Sequence, residues 1–243
     1  MLNYLKQLRR KHLERSIAKN QKTVQNPKAI REERVAAIEF FKNLKDVTVA
    51  VPALLKRFEY SLDHGINDTR EKESAMEGVL AFGDKALVFV KDHLIRSSRI
   101  AWPIKIFHKI GTERQVIEAL EACLYIKDFD FDRDKIDKNY DILCYLRDYA
   151  LPDKGEKLSP LLEALDERVR FGAAEVLITQ DSPVVAEKLE HFLFDTSAEN
   201  TRVHQAVVEA FLSKGWTIRT DEIPSGALPP GLVLNRDRRL VRS

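Results

Sequence analysis

Apolar residues recur along this chain in steps of three and four. In the stretch ERVRFGAAEVL, Val169, Gly172, Ala173, Val176 and Leu177 stand at offsets 0, 3, 4, 7 and 8. In TRVHQAVVEAF, 34 residues further on, Val203, Ala206, Val207, Ala210 and Phe211 repeat those offsets. Such spacing draws one continuous stripe on a helix of 3.6 residues per turn. Arg168 and Arg202 hold equivalent places, as do Glu175 and Glu209. A single amphipathic helix cannot bury its own stripe. A fixed period therefore predicts stacked, similar neighbours that bury it together.

The rest of the chain reads the same way. Leu2 to Val24 predicts a basic helix with a partial stripe of Leu2, Leu5, Leu8, Leu13 and Ile17. Asn26-Pro27 has the form of a cap followed by a first helical residue, so a helix is predicted over 28–45 with Ala37, Ile38, Phe41 and Leu44 inward. A short helix is predicted after Pro52, carrying Leu54, Leu55 and Phe58. TREKESAMEGVLAF predicts the next, capped by Asp68 or Thr69 and burying Met76, Val79 and Leu80. Gly83-Asp84 breaks it, and Leu87, Val90 and Leu94 continue in a partner. WPIKIFHKI and TERQVIEALEACL form another pair, with Thr112 and Gln115 at capping-box spacing. After the insertion YIKDFDFDRD comes DKIDKNYDILCYLRDYA, where Ile136, Asn139, Tyr140, Leu143 and Cys144 repeat the five offsets. Its partner, EKLSPLLEAL, is short. The partner of 167–177 begins at Ser182-Pro183 and presents Val185, Leu189, Phe192 and Leu193. The last helix spans 200–214.

The result is an all-α chain of about five helix pairs plus a terminal helix, with first helices 30 to 40 residues apart. This pattern resembles HEAT repeats, in particular the short HEAT-like class first described in phycobilin lyases. ERVRFGAAEVLITQDSPVVAEKLEHFL carries the likeness most clearly, and AMEGVLAFGDKALVFVKDHL is a looser copy. The likeness covers roughly residues 30 to 214, firm in the last pairs and degraded in the first. Tetratricopeptide arrays share the 34-residue period, but their Trp, Gly-Tyr and Ala-Phe signposts are missing. The resemblance implies an α-solenoid over 27–216, with a basic arm at 1–26 and an irregular tail at 217–243. Gly172, Ala173 and Ala206 would let backbones approach, and Leu177 and Phe211 would fill the seam. In the tail, Pro224, Pro229 and Pro230 oppose helix. LVLNRDRRLV reads either as a small hairpin across Asn235 to Arg238 that covers the last pair or as a disordered tail that orders on a partner, with Trp216 packed at the junction.

Composition fits a helix-rich chain. It is 44% hydrophobic and 32% charged, with nine glycines in 243 residues. No apolar run reaches the ~20 residues of a membrane span. The first residues lack the apolar core of a signal peptide, so a cytoplasmic location is expected. Cys123 and Cys144 fall in apolar helical patterns and read as packed thiols. Charge is uneven: residues 1–28 hold eight Lys/Arg against Glu14, a net +7, while the whole chain carries +2.

Few residues suggest chemistry. There is no Gly-rich phosphate loop, HExxH, GxSxG or CxxC. The six histidines are scattered singly, and neither a cofactor nor a small-molecule substrate is indicated. In DFDFDRD, Asp128, Asp130, Asp132 and Asp134 imitate the start of a calcium loop, but Arg133 and Asn139 stand where such a loop needs Gly and Glu. The plainer reading is an acidic loop that caps the next helix, with Phe129 and Phe131 either tucked under it or exposed. The basic helix, through Lys6, Arg9, Arg10, Lys11 and Arg15, reads as a solvated face, a docking arm for an acidic protein, or an arm for nucleic acid or an anionic membrane.

By HEAT geometry the second helices line the concave face. Lys56, Arg57, Lys91, His93, Glu118, Glu121, Glu187, Lys188 and Glu190 are expected to be exposed there. The leading expectation is a non-catalytic scaffold that binds a protein or protein complex. Nucleic-acid binding is the alternative, and some HEAT-like proteins are glycosylases of alkylated bases. A bilin lyase-type role rests on the resemblance alone.

Overall fold

A computed structural model describes residues 2–149, 155–180, 182–220, 223 and 228–243. Ala150, where a helix end was expected, and Pro224 in the tail lie outside them. The chain clusters into two compact units, 1–122 and 123–243.

Unit one opens with α1 (Leu2–Val24). It continues with α2 (Arg31–Lys42), α3 (Val47–Leu55), α4 (Gly65–Leu80), α5 (Leu87–Arg96), α6 (Ala101–Ile110) and α7 (Glu113–Ala122). Helix α1 packs on α2, α2 on α4 and α4 on α6, while α3 packs on α5 and α5 on α7. Thus α2, α4 and α6 pack in one series and α3, α5 and α7 in another. The core follows the stripe: Ala37, Ile38 and Phe41 from α2, Val79 from α4, Val90 and Leu94 from α5, and Ile104 and Phe107 from α6 are all buried.

Several boundaries differ from the sequence expectation because local hydrogen bonds decide them. Asn26 does not cap α2; its Oδ1 accepts from the Lys28 N–H in a turn, and the helix starts at Arg31. Helix α3 begins before Pro52, not after it. Asp46 caps it by accepting from the Thr48 N–H at 3.0 Å, and Pro52 lies inside. The cap of α4 is His64, not Asp68 or Thr69. The Thr112–Gln115 box forms as expected: Gln115 accepts from the Thr112 N–H at 2.9 Å, and Thr112 from the Gln115 N–H at 3.4 Å.

Unit two holds α8 (Arg133–Leu146), α9 (Gly155–Leu158), α10 (Glu167–Thr179), α11 (Pro183–Leu189) and α12 (Thr201–Lys214). Here α8 packs on α10 and α10 on α12. The 3-10 turns Ser159–Glu163 and Glu190–Leu193 pack on α10 and α12, respectively. Asp166 caps α10, and Ser182 caps α11 with Pro183 first, the latter as the sequence indicates. The stripe of α8 is rotated from the expected one. Ile142 and Leu146 are buried with Asn139 and Leu143, while Tyr140 and Cys144 are half-buried. The cause is Asn139, whose amide accepts from the Tyr125 N–H and donates to the Tyr125 carbonyl, both at 2.8 Å. That clamp fixes the helix phase.

The equivalent arginines do equivalent work. Arg168 lies 5.5 Å over the Tyr140 ring of the preceding first helix and pairs with Asp137 at 2.9 Å. Arg202 lies 4.1 Å over the Phe171 ring and faces Glu167 at 3.9 Å. Gly172 sits in the α8–α10 seam, where an added Cβ would stand 3.1 Å from Leu143 Cβ. Gly172→Val is therefore expected to cost about 1–3 kcal/mol by overpacking, read from urea unfolding; a cost near zero would mean the seam is slack.

Gly215, left-handed at φ 63°, ends α12. Then β1 (Leu232–Leu234) pairs antiparallel with β2 (Leu240–Arg242), with Val233 opposite Val241. Asn235 Oδ1 accepts from the Asp237 and Arg239 N–H groups and shapes the loop. The hairpin packs on α12: Leu240 and Ile218 are buried, and Trp216 meets Phe211 edge-on at 5.3 Å.

Candidate interaction surface

Helix α1 is a helix of two halves. Its last two turns are anchored, with Val24 buried and Ile17 and Asn20 half-buried. Tyr60 Oη donates to the Val24 carbonyl at 2.7 Å. Residues 4–15 are exposed throughout. That stretch holds Lys6, Arg9, Arg10, Lys11 and Arg15 against Glu14. It also holds Tyr4, Leu5, Leu8 and Leu13, each between 44% and 65% exposed. Arg9 falls in the middle of the arc that carries Leu5 and Leu13, so no clean apolar face forms. An interfacial membrane helix needs its charges segregated from its apolar residues. Among the described residues no helix is long and apolar enough to cross a membrane.

What fixes the root of α1 is an ionic cluster. Glu71 on α4 accepts from Arg34 Nε and Nη2 at 3.0 and 2.9 Å, and from Arg57 Nε at 2.9 Å. Asp68 accepts from Arg57 Nη2 and Lys72 Nζ, both at 2.7 Å, and from the Leu62 N–H at 3.0 Å. Arg34 also donates to the Pro27 and Ala29 carbonyls, just past α1. Arg57 lies 4.4 Å from the centre of the Tyr60 ring. Burial pushes the Asp68 carboxyl up, but donation from Lys72, Arg57 and the Leu62 N–H outweighs it and holds the pKa below the ordinary value. A depressed carboxylate contributes stability above its unfolded pKa of about 3.9 and loses it as pH falls through the folded value. Asp68→Asn should thus be less stable than wild type at neutral pH. That gap should close below about pH 4, as urea midpoints across pH will show.

Most residues expected on a concave face are exposed or half-exposed, and three are not. Lys56 is exposed and pairs with Glu59 at 2.8 Å. Glu118 is exposed and pairs with Arg114 at 2.8 Å. Glu187 is exposed and pairs with Arg219, and Lys91, His93 and Lys188 are half-buried. Arg57, by contrast, is 0% exposed and belongs to the ionic cluster. Glu190 is buried and accepts from the Arg219 and Thr220 N–H groups at 2.9 and 2.6 Å, holding the start of the tail. Arg57 and Glu190 both lie in 3-10 turns that follow second helices. Inward partners hold both: Glu71 and Asp68 for Arg57, and the Arg219 and Thr220 N–H groups for Glu190. Glu121, in the last turn of α7, is also buried.

The DFDFDRD loop splits its two aromatics. Phe129 is buried, whereas Phe131 is 96% exposed. Asp132 caps α8 through the Lys135 N–H, Asp130 Oδ1 accepts from the Leu165 N–H at 2.9 Å, and Asp128 has φ 54°. Among the described residues no three His, Cys, Asp or Glu side chains gather into a metal-binding group. Both tryptophans are engaged in packing: Trp102 stacks on Phe58 at 6.0 Å, and Trp216 packs on Phe211.

The hydrogen bond from Leu165 to Asp130 joins two loops that each show an apolar residue to solvent, since Leu165 is 64% exposed. Beside Leu165 opens a groove of about 410 Å³, floored by Leu162 and Phe192 and edged by Glu163, Asp195 and Glu199. The sequence reading missed this groove. Its lining comes from three separate segments, and only the pairing of α10 with its neighbours brings them together.

No family model, no curated protein and no solved structure matches this chain.

Proposed function

We propose that the chain is a non-catalytic scaffold of HEAT-like helix pairs that docks on a protein partner through the free half of α1. One observation carries the reading: residues 4–15 expose five Lys/Arg and four large apolar side chains on a helix rooted in a buried ionic cluster. A face that served only solvation would not need Tyr4, Leu5, Leu8 and Leu13. Phosphate contacts would use the cations and leave the leucines wet. A protein surface that offers an apolar groove among carboxylates satisfies both. The stacking of first on first and second on second helices, and the Arg168 and Arg202 clasps one period apart, support the HEAT-like reading.

The test is capture from the native cell by the full chain and by a variant with Arg9, Arg10, Lys11 and Arg15 changed to Glu. The co-purifying material is read by mass spectrometry and ultraviolet absorbance. A stoichiometric protein lost from the variant supports the reading. Nuclease-sensitive nucleic acid lost from it, with no protein, overturns the reading in favour of a phosphate-binding arm. The same proteins on both baits also overturn it.

A further inference from the structure

We propose that the acidic groove of unit two, with Phe131 at one end, receives the α1 arm of a second copy of this chain. This rests on α1 being a protein-docking arm and names its partner. The two surfaces are complementary in both respects that matter. The arm presents Lys6, Arg9, Arg10, Lys11 and Arg15 around Tyr4, Leu5, Leu8 and Leu13. The groove presents exposed Glu163 and Glu199 beside exposed Leu165, over buried Leu162 and Phe192, and the loop tied to Leu165 through Asp130 adds Phe131 beside exposed Asp128 and Asp134. Residues 123–243 carry 22 Asp and Glu against 17 Lys and Arg, so the long-range field also draws the basic arm in.

The groove is built rather than incidental. Arg170, buried at its back, donates to the Ala164 and Leu165 carbonyls at 2.6 and 2.9 Å, to the Glu199 carbonyl at 2.9 Å and to Asn200 Oδ1 at 2.8 Å. All its donors named here point into the walls, and the rim carries Glu163, Asp195 and Glu199 beside His191. Asp195 is held by Asn200 Nδ2 at 2.6 Å and the Ser197 N–H at 2.9 Å. Asp130 fixes the Phe131 loop to the same wall through Leu165. Exposed Leu165 and Phe131 beside acidic side chains give an arm that is both basic and apolar both kinds of contact. Twelve helical residues of the arm span roughly 18 Å, a length that offers two to three turns to the groove and the loop together.

Sedimentation velocity of the purified full chain, over a wide concentration range at low and high salt, tests this with a charge swap. One variant reverses the arm (Arg9→Glu, Arg10→Glu, Lys11→Glu, Arg15→Glu). The other reverses the rim (Glu163→Lys, Glu199→Lys). All six positions are exposed at the surface, and circular dichroism checks that both variants keep their helices. Wild type should self-associate, less so at high salt. Each variant alone should associate at least about a hundredfold more weakly, because like charges then face each other. Mixed together they should associate again, since the acidic arm of one fits the basic rim of the other. Phe131→Ser should weaken wild-type association without altering charge. A wild type that stays monomeric, or a mixture that fails to restore association, overturns the proposal. If wild type is monomeric while a cellular protein is still lost from the arm variant, the arm reading stands and only the self-docking falls.

Discussion

Glu71→Gln should destabilise unit one by about 3–5 kcal/mol, the usual cost of leaving buried charge without its partner. Glu71 serves two guanidinium groups at once, from Arg34 and Arg57, and all three side chains are almost fully enclosed. Glutamine keeps the shape but removes the charge. It also turns an amide N–H₂ toward a guanidinium that has only donors. Asp68 would remain on Arg57 and Lys72, and Arg34 would lose its two-pronged carboxylate partner. The loss is read most cleanly from Trp102 fluorescence in urea, because that ring stacks on Phe58, the residue after Arg57. A Trp216→Phe background removes the signal from unit two. Lys56→Ala, exposed next to Arg57, serves as the control and should move stability by less than about 0.5 kcal/mol. If Glu71→Gln behaves like that control, the cluster is not what roots α1.

Reversing Arg9, Arg10, Lys11 and Arg15 should have the opposite profile: no loss of stability and a large loss of binding. These side chains stand on the free half of α1, where nothing packs against them. Four like charges brought against an acidic surface cost several kcal/mol, so affinity for the protein partner should fall by roughly a thousandfold or more. Isothermal titration or sedimentation against the captured partner measures it, with the urea midpoint as the companion reading. Replacing Leu5 and Leu8 by Ser separates the two contributions. A protein groove should feel that change strongly, whereas a phosphate backbone should barely register it. Binding unchanged by charge reversal would mean that the arm is a solvated face.

Much of the local structure was legible in the residues. The stripes at 169–177 and 203–211 placed α10 and α12, Ser182-Pro183 placed the start of α11, the Thr112–Gln115 spacing placed a cap, and Asn235 to Arg238 placed the hairpin turn. Each of these signals lies within a few residues of the structure it specifies. The misplaced starts of α2, α3 and α4 arose where two local capping choices competed. At α3, Asp46 with Thr48 prevailed over a break at Pro52.

The sequence by itself determined a predominantly helical chain of amphipathic helices, with a basic helix at residues 2–24 and a turn at Asn235 to Arg238. Periodicity and capping are short-range, and a single chain displays them in order. Only the tertiary structure decided which charges are interior and which surfaces are open. The Arg34–Glu71 pair spans 37 residues, the Arg170–Asn200 clasp spans 30 and the Asp130–Leu165 bond spans 35. A charged residue on an amphipathic helix reads as solvent-facing until a neighbouring helix supplies its counter-charge. That meeting is set by packing, and so are the root of α1, the burial of Arg57 and Glu190, and the acidic groove beside Leu165.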